Sequence, residues 1–341
     1  MKIFVTGGCG FIGSNFIIMQ VDEYKNSIMN YDKLTYSGNK ENLSSLRNNS
    51  KYEFIEGDVC DTITLKNSIY DYKPDIIVHF AAESHVDNSI KNPQIFVKTN
   101  VLGTMSLLNA SFSYFSENKS NLDEFKFLHI STDEVFGSLD YNDAKFTESS
   151  HYLPNSPYSA SKAGADHLVR SWFKTYEFPS IITNCSNNYG PYQYPEKLIP
   201  LIISKIFDKK PLPIYGDGQN IRDWIYVNDH CKALNAIINN GKPGESYCIG
   251  GNNEKTNLDL VETLCEIFDS LMPLSPNKSY KELIAFVPDR LGHDFRYAID
   301  SSKIKNQLSW MPDKDFYDGL KETAKWYIDN ESWWRKIQNK I

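Results

Sequence analysis

The feature that most constrains this chain is the run Gly7-Gly8-Cys9-Gly10-Phe11-Ile12-Gly13, which follows Lys2–Thr6 with no spacer. Lys2–Thr6 is apolar and β-branched and predicts a strand, while Phe11–Asp22 has the length and spacing of a helix. Glycines at 7, 10 and 13 form a G-x-x-G-x-x-G loop between the two. A turn of this kind supplies tightness, close backbone approach to a pyrophosphate, and close packing of helix on strand. The helix N-terminus adds unpaired N–H groups and a partial positive charge for the phosphates. Alone, the glycines could simply shape a turn; context gives them meaning. A second strand, Ser27–Tyr31, leads into Asp32, about 20 residues past the loop, where an acid hydrogen-bonds an adenosine ribose. That carboxylate repels a 2′-phosphate and favours NAD over NADP, with the adjacent Lys33 pulling the other way. Gly57-Asp58-Val59, after a third strand, falls where an adenine edge would lie.

The alternation continues. Tyr52–Ile55, Ile76–Phe80 and Phe127–Ser131 predict further strands, and Thr62–Tyr72 and Pro93–Ser116 predict helices. Flat apolar strands alternating with helices predict an α/β fold with a right-handed, doubly wound parallel sheet of the Rossmann type. Near Asn187 the rhythm changes. Asn187–Gly218 is rich in Tyr, Pro, Gly and Asn, which predicts pocket-forming loops rather than another βα unit. Helices are predicted again at Asn228–Asn239, Asn257–Leu271 and Phe316–Asn330. The expected division is a NAD-binding domain over 1–186 and a smaller α/β substrate-binding domain over 187–341. Whether the chain crosses between them more than once is left open.

Several function classes recede on composition. A net charge of −7, from 36 basic and 43 acidic side chains, argues against a general nucleic-acid binder. It leaves room for a local basic pocket and an anionic substrate. Six scattered cysteines with no C-x-x-C pair, and no histidine at ligand spacing, predict neither a disulfide framework nor a metal site. Gly7, Gly8 and Gly10 interrupt the N-terminus too early for a signal peptide, and no apolar run approaches the roughly 20 residues of a membrane span. A cytoplasmic protein without a membrane partner is the expectation.

Two further motifs carry chemistry. Ser156-Pro157 predicts a helix start, and Tyr158-Ser-Ala-Ser-Lys162 follows it, placing Tyr158 and Lys162 on one face. A phenol with a reference pKa near ~10 is a poor base at neutral pH. A nearby ammonium and an oxidised nicotinamide would favour its phenolate. By itself a Y-x-x-x-K spacing is more often a surface pair; behind a dinucleotide loop it reads as catalytic. The fifth strand ends in Ser131-Thr132-Asp133-Glu134. Adjacent strand residues point to opposite faces, so both carboxyls reach one pocket only if the strand stops there and turns. Substrates of open α/β sheets bind beyond these strand ends.

Together the glycine loop, Thr132-Asp133-Glu134 and Tyr158/Lys162 resemble the extended short-chain dehydrogenase/reductases, specifically the NAD-dependent epimerase/dehydratase family. The similarity runs from Lys2 to about Trp326. It includes Ala81-Ala82-Glu83-Ser84-His85-Val86-Asp87, Asn187-Asn188-Tyr189-Gly190-Pro191, Glu196-Lys197-Leu198-Ile199-Pro200 and Arg222-Asp223-Trp224. The resemblance implies dehydration of a nucleoside-diphospho-glucose, dTDP-glucose first, to its 4-keto-6-deoxy derivative. Thr132, Asp133, Glu134, Tyr158 and Lys162 are the implied catalytic residues. Gly7, Gly10, Phe11, Ile12, Gly13, Asp32, Lys33, Asp58, Val59, Ala81, Ala82, Thr99, Tyr158 and Lys162 would hold NAD. Ser84, His85, Thr132, Asn187, Glu196, Lys197, Arg222, Asn257, Arg290, His293 and Tyr297 would hold the nucleotide sugar. A homodimer through Pro93–Ser116 and Pro157–Tyr176 is also implied.

One departure stands out. Where the family usually reads D-R-P-G-H-D-R-R-Y, this chain has Asp289-Arg290-Leu291-Gly292-His293-Asp294-Phe295-Arg296-Tyr297. The proline is lost, and Phe295 removes a positive charge. The alternatives are a 4,6-dehydratase for UDP- or CDP-glucose, a 4-epimerase, and a non-enzymatic NAD-binding regulator. The Asp133-Glu134 pair argues against epimerisation, which needs no acid–base chemistry at C5 and C6. The intact Tyr/Lys pair argues against a regulator.

Overall fold

In the computed structural model, which describes residues 1–122 and 124–339, the short apolar runs become strands β1 (Lys2–Thr6), β2 (Ser27–Asp32), β3 (Tyr52–Glu56), β4 (Ile76–His79), β5 (Lys126–Thr132) and β6 (Ser180–Cys185). Further strands are β7 (Asn187–Tyr189), β8 (Leu212–Tyr215), β9 (Ile221–Tyr226), β10 (Ser246–Ile249), β11 (Glu254–Thr256) and β12 (Ile284–Val287). The large sheet runs β10-β6-β5-β4-β1-β2-β3, parallel throughout. Its order reverses between β1 and β4, which opens a crevice at the carboxyl ends of those strands.

Both faces of the sheet are covered, which is why its central strands read as unbroken apolar runs. Helices Phe11–Asp22 and Val227–Asn240 cover one face over a core of Ile3, Val5, Phe16, Ile130 and Leu234. Helices Thr62–Tyr72, Thr104–Asn118 and Pro157–Tyr176 cover the other, around Phe4, Ile77, Leu107, Phe127 and Phe178. A second core holds Ile199, Ile203, Trp224, Leu264, Phe268 and Trp334 beneath the small sheets β11-β9-β7 and β12-β8. The chain re-enters the large sheet as β10, pairing Ser246–Ile249 with Ile182–Cys185.

Two expected elements are corrected. Pro93–Ser116 is not one uniform helix: Pro93–Phe96 is α, Val97–Gly103 is π, and α geometry resumes over Thr104–Asn118. Asn100 lies in the π segment and binds outward; its side chain exchanges two bonds with the Glu83 backbone at 2.8 and 3.0 Å and donates to Ser161 Oγ at 2.8 Å. A π bulge of this kind re-aims one side chain without ending the helix. Asn187–Gly218 is not all loop either, since it holds β7, helix Leu198–Asp208 and β8. The densest Pro, Tyr and Gly content lies at Gly190–Pro195, and the Leu198–Phe207 run packs its isoleucines in the second core.

The two parts are tied across the crevice. Asn15 Nδ2 donates to the Pro191 carbonyl at 3.0 Å, Lys197 Nζ to the Ser84 carbonyl at 3.0 Å, and Trp333 Nε1 to Asn42 Oδ1 at 2.9 Å.

Candidate active site

At the glycine loop the backbone itself is the binding surface. Gly7 adopts φ +75°, and a Cβ there would lie 2.5 Å from the Ala81 nitrogen. Only glycine lets the loop settle against the chain leaving β4. A Cβ at Gly13 would come 2.6 Å from the Gly7 carbonyl oxygen, so the helix start rests directly on the loop. Helix Phe11–Asp22 has no side-chain cap and no acid in its first turn. Its N-terminal N–H groups and partial positive charge are therefore left for an anion.

Asp32 closes β2 as a buried carboxyl whose Oδ2 accepts from the Cys9 N–H at 2.8 Å and Oδ1 from the Leu34 N–H at 2.7 Å. Lys33, the cation that would welcome a 2′-phosphate, pairs instead with Asp58 at 2.7 Å. Against the opposing effect of burial, that ammonium draws the Asp58 carboxyl below its usual range. Gly7, Gly10, Phe11, Ile12, Gly13, Asp32, Lys33, Asp58, Val59, Ala81, Ala82, Thr99, Tyr158 and Lys162 line one continuous cavity. Uncapped helix start, crowded glycine loop and buried acid together fit a dinucleotide with a free ribose 2′-hydroxyl.

The same cavity reaches the end of β5. The strand stops at Thr132, and Asp133–Phe136 forms a single 3₁₀ turn capped by Thr132. Thr132 Oγ1 accepts from the Glu134 N–H at 3.2 Å and donates to Asp133 Oδ1 at 3.3 Å. The turn brings both carboxyls to the cavity, which an uninterrupted strand could not do. Asp133 is 2% exposed and its Oδ2 has no partner. Burial, then Glu134 and Asp223, push its carboxyl well above the usual range. Burial raises Glu134 as well, but Arg290, Lys197 and Arg222 oppose the rise. Two adjacent acids thus sit in unlike fields: Asp133 is the one that keeps a proton, Glu134 the one that cations help to ionise.

Helix Pro157–Tyr176 opens with a capping box in which the Ser156 and Ser159 hydroxyls each accept the other's backbone N–H at 3.0 Å. Tyr158 stands on this fixed first turn, and its phenol is held well above the usual value by burial, then by Glu134 and Cys185, with a Thr132 hydrogen bond acting the other way. The Lys162 ammonium, the expected source of positive charge on this face, is turned toward β5. Lys162 Nζ donates to the Ile130 carbonyl at 2.8 Å. Four residues of helix rise about 6 Å, so i and i+4 share a face without the two polar ends having to meet.

The expected substrate residues divide. Ser84, Thr132, Asn187, Glu196 and Lys197 line the cavity; His85, Arg222, Asn257, Arg290, His293 and Tyr297 lie outside that lining. His85 caps helix Val86–Lys91 through the Asn88 N–H at 3.4 Å, and burial pushes it down to about 4. Arg222 is 5% exposed, stacks 4.3 Å over the Tyr297 ring, and donates to the Ile221, Asp294 and Phe295 carbonyls. Arg290 Nη1 lies 4.0 Å from Asp87, and its buried Nε has no partner. His293 bonds Asp289 at 2.7 Å, and Asn257 begins helix Asn257–Leu271. Leu291 is 79% exposed and Phe295 37%, so the departure from the family pattern faces solvent.

Tyr36, Cys185, Gln193 and Tyr194 also line the cavity or its rim and had no sequence signal of their own. Tyr36 OH donates to Glu196 Oε1 at 3.1 Å across 160 residues, a contact no local pattern encodes.

Residues 4–323 match the family model described as GDP-mannose 4,6 dehydratase. A curated relative, the dTDP-glucose 4,6-dehydratase of Neisseria meningitidis serogroup B, is 50% identical over 99% of this chain and 96% of its own length. An Escherichia coli dTDP-glucose 4,6-dehydratase is 49% identical over 99% and 97%. Among solved structures, the Bacillus anthracis dTDP-glucose 4,6-dehydratase in complex with NAD superposes with a TM-score of 0.86, at 45% identity and 99% coverage of both chains. The UDP-glucose 4-epimerase of Thermotoga maritima also superposes, with a TM-score of 0.84 at 26% identity, over 97% of this chain and 100% of that one. The fold is therefore common to both chemistries, and the full-length identities make the assignment: this chain belongs to the nucleotide-sugar 4,6-dehydratase family, alongside the dTDP-glucose 4,6-dehydratases.

Proposed function

We propose that this chain converts dTDP-glucose to dTDP-4-keto-6-deoxyglucose with NAD as a recycled cofactor. The observation that carries the reading is the placement of Asp133 and Glu134 on one turn, in unlike fields, in the cavity shared by Tyr158 and the glycine loop. The solved relatives bound to NAD, and one with dTDP as well, support the cofactor and the base.

NAD held by the glycine loop, Asp32 and Lys162 would supply the redox chemistry, as acceptor and then donor of a hydride. The chain's own residues handle the protons. Tyr158 takes the proton of the C4 hydroxyl while Thr132 hydrogen-bonds that oxygen. The C4 ketone makes the C5 hydrogen acidic, and Glu134 removes it. Asp133 gives its proton to the C6 hydroxyl, which leaves as water, and a proton returns to C5. Lys162 would hold the nicotinamide ribose, and the positive charge gathered beside Tyr158 would favour its phenolate. Each acid–base contribution is typically worth about 10²–10⁴ in rate. Lys197, Arg222 and Arg290 supply positive charge toward the diphosphate side, with Ser84, His85, Asn187, Glu196, Asn257, His293 and Tyr297 completing the sugar-nucleotide pocket.

The working division is a NAD-binding lobe of residues 1–186, rejoined by the β10 segment, and a sugar-nucleotide lobe from the rest of 187–341. A cytoplasmic homodimer completes the proposal: Ile95, Val97, Leu102 and Tyr176 are exposed apolar side chains on the two helical segments that would pair. Among the described residues no helix is long and apolar enough to cross a membrane.

Mass spectrometry after incubation with NAD and dTDP-, UDP- or CDP-glucose tests the reading. A product lighter by one water, formed without net NADH and fastest from dTDP-glucose, is expected. An unchanged mass with inversion at C4 would mean an epimerase. No reaction with any of the three would leave only the binding role and remove the mechanism.

A further inference from the structure

Behind the catalytic face of helix Pro157–Tyr176 lies a polar network that the steps above do not use. Tyr158, Lys162 and Asp166 follow at four-residue intervals on the helix. Lys162 is 4% exposed, Asp166 1% and His129 0%. His129 Nε2 stands between the other two, 3.4 Å from Lys162 Nζ and 3.1 Å from Asp166 Oδ1. Among the described residues neither Nδ1 of this ring nor Asp166 Oδ1 makes a hydrogen bond, so His129 and Asp166 meet as close neighbours rather than as a bonded pair. Asp166 is anchored from three directions. Its Oδ2 accepts from Ser131 Oγ at 2.8 Å, Tyr152 OH at 2.9 Å and Asn184 Nδ2 at 3.3 Å. Three donors on one oxygen fix the carboxyl in place against the sheet.

We infer that Asp166, acting through His129, is the positioning residue that keeps the buried Lys162 side chain charged and fixed beneath the active site. This rests on the reading of Tyr158 and Lys162 as the working pair. A buried ammonium without an opposing charge gives up its proton rather than remain desolvated. The titratable groups whose fields couple to Lys162 are Asp166 on its own helix, His79 on β4, His129 on β5 and Cys185 on β6, and Tyr158 lines the same cavity one turn away. Burial pushes His129 down to about 4 and the Cys185 thiol up to about 12, leaving both neutral. His79 is likewise held neutral by burial, and the Tyr158 phenol is raised. Asp166 is thus the one carboxyl of the set. Burial lowers Lys162 itself, with Asp166 the leading opposing influence. Both contacts fall on Nε2, so the neutral imidazole is a spacer across which the Asp166 field reaches Lys162, and the Ile130 carbonyl sets the direction in which the ammonium points.

The test follows Lys162 directly in full-length protein carrying [ε-¹³C]lysine, with its resonance assigned by loss in Lys162→Arg. In the wild type it is expected to titrate as an ammonium through neutral pH. In Asp166→Asn, a near-isosteric change, the acid dissociation constant of Lys162 should rise roughly tenfold, and Asp166→Glu should restore most of the difference. An unchanged Lys162 titration in folded Asp166→Asn would reduce the network to a fastening of helix to sheet and overturn the inference. A neutral amine in the wild type at neutral pH would overturn it whether or not any variant folds. Because this readout needs neither substrate nor NAD, its failure is distinct from failure of the dehydratase reading.

Discussion

Replacing Asp133 with asparagine separates the two halves of the proposed reaction. The substitution is close to isosteric, and the amide carbonyl it introduces can still accept from Thr132 Oγ1, which bonds Asp133 Oδ1 at 3.3 Å. The 3₁₀ turn and its cap should therefore persist. What disappears is the proton that burial and Glu134 keep on the native carboxyl. Glu134 takes its opposing influences from Arg290, Lys197 and Arg222, none of which changes. The loss is thus confined to general acid catalysis at C6, worth about 10²–10⁴ in rate, or roughly 3–5 kcal/mol at about 1.4 kcal/mol per tenfold. In a single-turnover experiment with dTDP-glucose, C4 oxidation should stay within a few-fold of wild type. Water loss should become limiting, so NADH absorbance would rise and persist where the wild type shows at most a brief transient. Water loss within about tenfold of wild type would refute the assignment of Asp133 as acid. Loss of C4 oxidation along with it would show that the turn itself had been damaged.

Other expectations follow from the same geometry. Glu134→Gln should abolish exchange of the C5 hydrogen with solvent deuterium, lowering turnover by about 10²–10⁴; retained exchange would move the base elsewhere. Because the folded-state carboxyl of Asp133 is raised, its stabilising effect is present at low pH and is lost as pH rises through the folded value. Asp133→Asn should therefore gain thermal stability relative to wild type as pH rises above the ordinary carboxylate range, and a difference in Tm that is flat with pH would contradict the burial argument. Asp32→Asn removes the charge that repels a 2′-phosphate and should shrink the preference for NAD over NADP by roughly tenfold in the ratio of Kd values, read by calorimetry. Val97→Glu with Leu102→Glu, both 47–50% exposed in the chain, should shift sedimentation to monomer with little loss of monomer stability if these helices pair.

Much of the site was legible in the residues because its parts are local. The glycine loop, the strand-end acid at Asp32, Tyr158 with Lys162, and the Thr132–Glu134 run each lie within one turn or one strand end. Periodicity and turn chemistry specify such pieces without reference to the rest of the molecule. Helices Phe11–Asp22, Thr62–Tyr72 and Asn257–Leu271 have the same bounds in sequence and structure, the first set by its glycine loop and the other two by the Asp61 and Thr256 caps. The π segment Val97–Gly103 was not legible, because its shift in register is too short to stand out from helical apolar spacing and is fixed by the tertiary partners of Asn100.

By itself, then, the order of residues determined a doubly wound sheet, a dinucleotide loop, and which side chains could do acid–base work. Tertiary structure alone decided how those side chains are charged and where they point. The unlike fields of Asp133 and Glu134 arise from Asp223 on one side and Arg290 and Lys197 on the other, with Arg222 reaching both, and all four come from distant parts of the chain. The Lys162 ammonium is directed to the Ile130 carbonyl and His129, contacts made only when helix packs on sheet. Burial sets the cost of each charge, and burial is a property of the whole fold rather than of any segment.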